Sequence, residues 1–463
     1  VIRLFDSVHG EVRDLELRDP GRVSIYSCGP TVYDIPHIGH GRQTLVWDVV
    51  RRWFVFRGLD VHFVSNITDI DDNIIGRAKR EHTTEGDVAQ RFEGEWWDAM
   101  RALGAAMPDD VPHATHYVAD MVDLIASFLA SGVAYTTSDG VYFDVSSVPD
   151  YGLLAGQPLE GLRAGARVEA LEEKRSPLDF ALWKNAKDDE PSWPAPFGAG
   201  RPGWHTECVV MSLDLLGEDF DLHTGGFDLR FPHHENERAQ AVAAGRPFAR
   251  RWDHHGWVMV GEEKMSKSLG NFTSLKDLLA KTDARAYRLL VLRSHYRSPI
   301  EVTPATTQDA ERALARLDTL ARRFDLPALA GQTLEVATDF DWTGPAKDLF
   351  DSVAAVLDDD MNTPLAVALL FDGLAAAHSA ADAGDDELAG TLARAVNALF
   401  SAMGLALNAH GGDVDEASQA LVLERDAARA AKDWAAADRL RDELVTLGWV
   451  VEDSALGTVI RRP

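Results

Sequence analysis

The sequence predicts an α/β protein: a parallel sheet split by an insertion, then a helical bundle and a small terminal unit. Three observations lead there. Residues 23–64 read strand, loop, helix, strand, and such a crossover builds a parallel pair. A second α/β stretch occupies about 220–237. Beyond about residue 300 the chain turns Ala/Leu-rich with helical periodicity.

Val23-Ser24-Ile25-Tyr26-Ser27 reads as a short buried strand ending at Cys28, broken by Gly29-Pro30-Thr31. From Gly39 the apolar residues Leu45, Val46, Val49, Val50, Trp53 and Phe54 fall at helical spacing, and Gly58 is the stop. Val61-His62-Phe63-Val64 is the second strand. Phe220-Asp221-Leu222-His223 reads as a strand entering a turn at Gly225-Gly226, with a helix from about His233. The insertion ends in a Pro/Gly/Trp-rich stretch over 191–203, predicted irregular. Gly256–Val260 is strand-like. Residues 305–325 and 345–405 form the bundle, Gly411-Gly412 a linker, 417–446 two more helices, and 449–451 with 458–460 a hairpin. The divisions are 1–114, 115–200 (the insertion), 201–300, 301–410 and 415–463.

The 463 residues correspond to about three domains. Hydrophobic residues at 46% and charged residues at 26% exclude a disordered or fibrous chain. No apolar run is expected to be long enough to cross a bilayer, and Val1–Asp6 is charged too early for a signal peptide, so a soluble cytoplasmic protein with no membrane partner is expected. A net charge of −28 argues against a nucleic-acid partner. It does not locate patches, however. Cys28 and Cys208 are the only cysteines. In a reducing compartment they are thiols rather than a disulfide.

His37-Ile38-Gly39-His40 precedes the first long helix. Helix N-termini hold phosphates through unpaired N–H groups, Gly39 admits a ligand to the backbone, and two imidazoles can donate to developing phosphate charge. Two surface histidines beside a turn would read the same. Lys264-Met265-Ser266-Lys267-Ser268 follows the strand-like run. Its lysines and hydroxyls suit a mobile loop closing on a triphosphate. A solvated basic turn is the plainer alternative.

Together the two motifs resemble the paired signatures of class I aminoacyl-tRNA synthetases. The resemblance implies a Rossmann-like catalytic domain that activates an amino acid with ATP and Mg2+, then passes it to a tRNA. It implies that His37, Gly39 and His40 bind the ATP phosphates. Lys264, Ser266 and Lys267 would clamp the departing pyrophosphate, with both histidines and both lysines catalytic.

Cys28, Cys208, and the pair His233 and Glu237 at i and i+4 are all accepted zinc donors. A helix-surface pair is the commoner fate of that last spacing, and the zincin pattern is absent. Ser27–Asp34, Asn66–Asp72, Ser176–Lys184, Pro202–Cys208, Phe231–Glu237 and Asp358–Pro364 narrow the resemblance to the cysteinyl-tRNA synthetase family, over about residues 3–462. It implies one zinc ion per chain on Cys28, Cys208, His233 and Glu237. It also implies a cysteine pocket at Gly29, Thr31, Thr68, Trp204 and Asp228. Packing separates cysteine from serine by only about 1–3 kcal/mol, which gives a metal its use as a selector. No editing site is apparent.

The resemblance makes 345–405 a helical domain and 415–463 an anticodon-binding end, with L-cysteine, ATP and tRNA(Cys) as partners of a monomer. Residues 421–463 carry a net −1 against −16 for 301–463. That suits an RNA-facing surface with Lys432, Arg439, Arg441, Arg461 and Arg462 as contacts. Lys174, Arg175 and Lys184 are weaker candidates for the acceptor end. Two alternatives stay open: a cysteine ligase of mycothiol biosynthesis with an amino-sugar acceptor, and a non-enzymatic zinc-stabilised RNA-binding relic.

Overall fold

A computed structural model describes residues 1–156, 173–260, 263–264, 273–329, 340–409, 416–454 and 457–461. The central sheet has four parallel strands, β1 (Arg22–Ser27), β2 (Asp60–Ser65), β3 (Leu222–Gly226) and β4 (Arg251–His255), in the order β4-β3-β1-β2. Helix α1 (Ile38–Phe56) crosses from β1 to β2. Helix α2 (Trp204–Leu215) precedes β3, and α3 (Glu235–Ala243) joins β3 to β4. The chain leaves β1 toward β2 on one side and finds β3 on the other. That is the switch point at which open α/β sheets bind ligands.

Helix α1 follows its predicted pattern: Leu45, Val46, Val49, Val50, Trp53 and Phe54 are all buried. It ends at Arg57, and Gly58 at φ +82° supplies the left-handed stop. Its interior also buries Arg42, Asp48, Arg51 and Arg52. Asp48 pairs with Arg52 at 2.9 Å and with Arg288, on helix Ala284–Leu292, at 2.6 Å.

The insertion holds helix Val118–Ser131 and an antiparallel sheet of Ala134–Thr136, Gly140–Phe143, Phe180–Asn185 and Gly200–Pro202. The stretch expected to be irregular therefore ends in a strand. Glycine is required there, because a Cβ on Gly200 would lie 2.2 Å from the Lys184 carbonyl oxygen. The predicted turn at Gly225-Gly226 is instead the end of β3. Helix α3 begins at Glu235, after a widened turn over Arg230–His234.

Helices Pro304–Phe324, Gly344–Leu357, Thr363–Asp382 and Asp386–Ala402 make the bundle. Thr363–Asp382 is a correction: this 20-residue helix contains an 18-residue stretch with a mean hydropathy of 1.4, enough by length and composition to cross a membrane. Its Ala366, Val367, Leu370, Leu374 and Ala377 are buried in the bundle core. Helices Glu416–Ala430 and Trp434–Thr446 pack on the hairpin Val450–Ser454/Gly457–Arg461 around Leu444, Trp449, Val451 and Ile460. The expected Gly411-Gly412 linker lies outside the described residues.

Candidate active site

The ends of β1 and β3 carry the site. The Cys28 N–H donates to the Thr224 carbonyl at 3.2 Å, which holds the end of β1 to β3. His37 is the N-cap of α1 and His40 its third residue. Each ring Nδ1 accepts the other's backbone N–H at 3.3 Å, and the rings stack with centroids 3.7 Å apart. Because both Nδ1 atoms accept, the neutral rings carry their protons on Nε2. The pair is thus fixed as two Nε2–H donors at a helix N-terminus, where an anion is favoured.

The strand Val258–Val260 turns back into Glu263–Lys264, with Lys264 opposite Met259. Ser266 and Lys267 lie outside the described residues. Beyond them, the Thr273 carbonyl accepts from the Ile38 N–H at 3.2 Å, and Leu275 N–H donates to the Pro36 carbonyl at 2.9 Å. The C-terminal flank of the lysine segment is therefore bonded to the residues on either side of His37.

The four candidate metal donors converge from three places in the fold. One donor atom each from Cys28, Cys208, His233 and Glu237 lies within 4.8 Å of the others, and all four residues are buried. Sγ of Cys28 and Cys208 are 3.8 Å apart, Cys208 Sγ and His233 Nε2 are 3.7 Å apart, and His233 Nε2 and Glu237 Oε1 are 3.0 Å apart. Two thiols, an imidazole and a carboxylate at this spacing fit a tetrahedral zinc ion. A hydrogen bond from Cys28 brings the Cys208 thiol down to about 6. Burial and the neighbouring Cys208 push the Cys28 thiol up. Against burial, Glu237 and Cys208 hold the His233 imidazole up at about 10. Also against burial, His223 and His233 bring the Glu237 carboxyl down to about 2. The cluster thus favours the Cys208 thiolate and the Glu237 carboxylate, while Cys28 and His233 would each release a proton on binding a metal.

Cys28, His223, His234 and Glu237 form an overlapping set. His234 Nδ1 is engaged with His254 Nε2 at 2.9 Å and His223 Nε2 with Glu237 Oε2 at 2.7 Å. The first set uses both thiols and borders the exposed Trp204, whose ring stacks on His233 at 4.0 Å. It is the better fit for a metal that must meet a substrate.

The remaining pocket residues gather nearby. Gly29 N–H donates to Asn66 Oδ1 at 2.9 Å, Thr31 bridges Thr68, and Thr68 Oγ1 donates to Glu207 Oε2 at 2.7 Å. Asp228 is exposed on the turn after β3, beside Gly226 and His255. Sequence reasoning missed Glu207, whose carboxyl burial pushes well up. It also missed His205, whose Nδ1 lies 2.9 Å from His233 Nδ1, and Gln43, whose amide donates to the Cys28 carbonyl at 2.6 Å. Only Glu207 and His205, beside Cys208 and Trp204, had a sequence signal.

At the far end, Lys432, Arg439 and Arg441 are exposed. Arg461 lies on the last strand, and Arg462 lies outside the described residues. Arg425 is buried and donates to Thr458 Oγ1 at 2.5 Å. In the insertion, Arg175 pairs with Asp144 at 3.1 Å, Lys184 pairs with Asp72, and Lys174 sits over the Tyr142 ring at 5.6 Å.

Residues 15–312 match the family described as the tRNA synthetases class I (C) catalytic domain, so the sheet with its histidine-capped helix is that of a class I aminoacyl-tRNA synthetase. Residues 352–408 match the DALR domain and 411–461 the cysteinyl-tRNA ligase anticodon binding domain. The chain is 43% identical over 474 residues to a cysteine–tRNA ligase of Chromobacterium violaceum, covering 100% of both. It is 43% identical over 472 residues to one of Halorhodospira halophila, again covering 100% of both. It belongs to the cysteine–tRNA ligase family. By fold it is also similar to a Mycobacterium tuberculosis methionyl-tRNA synthetase in complex with methionyl-adenylate, at TM-score 0.60 and 16% identity over 82% of this chain and 89% of that one. An Agrobacterium radiobacter LeuRS in a ternary complex gives TM-score 0.62 at 11% identity, over 84% and 85%. These likenesses favour neither the amino-sugar ligase nor the binding relic.

Proposed function

We propose that Cys28, Cys208, His233 and Glu237 hold one zinc ion that selects cysteine for the family's reaction, the ATP-dependent ligation of L-cysteine to tRNA(Cys). The observation that carries this reading is the convergence of both cysteines, 180 positions apart, on a buried imidazole and carboxylate. When bound, zinc held by these four donors can expand to a fifth, and it would take a thiolate there in preference to an alcohol. The protein's own residues do the rest. Gly29, Thr31 and Thr68 shape one wall of the pocket, Trp204 another, and Asp228 meets the substrate ammonium. His205 accepts the His233 Nδ1 proton, fixing the ring with Nε2 toward the cluster.

A cysteine carboxylate oxygen attacks the α-phosphorus of ATP, and the bond to the pyrophosphate oxygen breaks. His37 and His40 donate their Nε2 protons as hydrogen bonds to the charge that develops on the phosphates. Lys264, Ser266 and Lys267 hold the departing pyrophosphate, whose charge Mg2+ bound to the nucleotide would help to offset. The ribose hydroxyl of the tRNA terminus then displaces AMP from the adenylate. The protein works as a monomer in the cytoplasm, whose redox poise keeps Cys28 and Cys208 reduced.

The test is pyrophosphate exchange into ATP. Exchange should require cysteine, and Cys208→Ser should raise the KM for cysteine far more than that for ATP. Equal exchange with serine would defeat the assignment.

A further inference from the structure

Arg42 stands two residues beyond His40 on α1 and is 1% exposed. Among the described residues, no carboxylate pairs with its guanidinium. Four main-chain carbonyls take its N–H groups instead: Trp257 at 2.5 Å, Tyr296 at 3.1 Å, His295 at 3.5 Å, and Ser298. Burial without a counter-charge brings it down to about 10. A buried cation is costly unless its donors are matched. Here carbonyl dipoles from two separate segments match the two terminal nitrogens, while Nε has no hydrogen-bond partner among the described residues.

Those segments are the ones that frame the lysine strand. Trp257 leads directly into Val258–Val260, which pairs with Glu263–Lys264. Residues 295–298 lead into Ile300–Glu301, which pairs in parallel with the same strand. Gly256 is jammed against the second segment, since a Cβ there would lie 2.5 Å from the Ser298 carbonyl oxygen and 2.6 Å from that of Arg297. One guanidinium fork therefore ties the histidine-bearing helix to both strands beside Lys264.

We infer that Arg42 is a positioning residue for adenylate formation, setting the distance between the His37/His40 donors and the strand that presents Lys264. The inference rests on the proposed function of the two motifs. A planar fork with five donors bridges several carbonyls at once, and a lysine ammonium does not. Displacing a catalytic group by about 1 Å costs on the order of 100-fold in rate.

The experiment compares the full-length zinc-loaded protein with Arg42→Lys and Arg42→Met by pyrophosphate exchange, zinc analysis and calorimetric Tm. For Arg42→Lys the kcat of exchange should fall about 100-fold while the KM for cysteine and the zinc content stay within twofold. Added methylguanidinium should restore part of the rate of Arg42→Met, which a general loss of packing would not allow. Should Arg42→Met fail to fold, Arg42→Lys alone decides through its split between kcat and the cysteine KM. An unchanged kcat in folded Arg42→Lys, or loss in step with Tm and both KM values, would overturn the inference. Absence of cysteine-dependent exchange in the unsubstituted protein would instead overturn the underlying reading.

Discussion

Glu237 and His223 meet at 2.7 Å, Oε2 to Nε2, with neither side chain exposed. The other carboxylate oxygen is thereby left facing His233 Nε2 at 3.0 Å and Cys28 Sγ at 3.7 Å. A residue of β3 thus orients a donor carried on α3. The His223 ring is itself clamped by stacking on Trp252 at 4.5 Å.

Partners of this kind typically change metal affinity by 10–100-fold. His223→Phe keeps the stacking and removes the hydrogen bond. It should weaken zinc binding by about 10–100-fold in a chelator competition, with the KM for ATP unchanged. Unaltered zinc affinity would reduce the pair to packing.

Gly29 makes a second sharp demand. A Cβ there would fall 1.6 Å from the Asn66 carbonyl oxygen, while its N–H bonds the Asn66 side chain. Gly29→Ala must push apart the loops after β1 and β2. It should lower Tm by several degrees, on the scale of about 2 kcal/mol, and raise the KM for cysteine more than tenfold. Wild-type values in thermal scans and exchange kinetics would count against the close approach.

The first crossover was legible because α1 carries an unbroken apolar stripe from Leu45 to Phe54 between two short strands. Cys28 and Cys208 were legible as partners because the chain has no other thiol. His37 and His40 were legible as a pair but not as a reciprocal helix cap, because the three-residue spacing serves either purpose. The start of α3 was misplaced by two residues because the chain widens over Arg230–His234 before it winds regularly. His223 and Gln43 were illegible: each matters through a partner brought in by the fold, Glu237 and the Cys28 carbonyl. The apolar character of Thr363–Asp382 was overlooked because its Ala-rich turns read as bundle.

Asp253 on β4 gives a pH dependence whose sign follows from one proton. Tyr296 Oη lies 2.8 Å from Asp360 Oδ1 and 3.1 Å from Asp253 Oδ2, yet it can donate only once. Asp360 is paired with Arg297 and competes at the shorter distance for the Tyr296 proton, so Tyr296 offsets the burial of Asp253 only in part. Burial and the Asp360 charge push Asp253 up to about 8, against the Tyr296 hydroxyl, the His254 N–H and Arg251. Between the ordinary carboxyl range and pH 8 the unfolded chain has lost the Asp253 proton and the folded chain has not. Stability from this group therefore falls as pH rises through that window and levels off above it. Asp253→Asn should remove the decline, leaving the variant more stable at pH 8 by on the order of a few kcal/mol in urea titrations. A pH-independent difference between the two proteins would refute the assignment.

Trp434 opens the last helix with 61% of its surface exposed. An indole of that size in water on a small unit calls for a partner. The neighbouring Lys432 is exposed in the preceding turn at φ +62°, and Asp433 caps the helix through the Ala436 N–H at 3.0 Å. A flat exposed ring and a cation two residues apart on one turn suit an unstacked base and its phosphate. Base–aromatic stacking is worth about 1–3 kcal/mol per base on alanine substitution. Trp434→Ala should accordingly lower kcat/KM for tRNA charging by roughly 5- to 150-fold, with cysteine-dependent exchange untouched. Lys432→Ala should act differently, weakening binding in proportion to the phosphate charge it neutralises and flattening the salt dependence by about one unit of slope. Buried Arg425, bonded to Thr458, marks the contrast: Arg425→Met should lower the Tm of this unit before it alters the salt slope. Full charging activity in Trp434→Ala would move the RNA contact elsewhere on the surface.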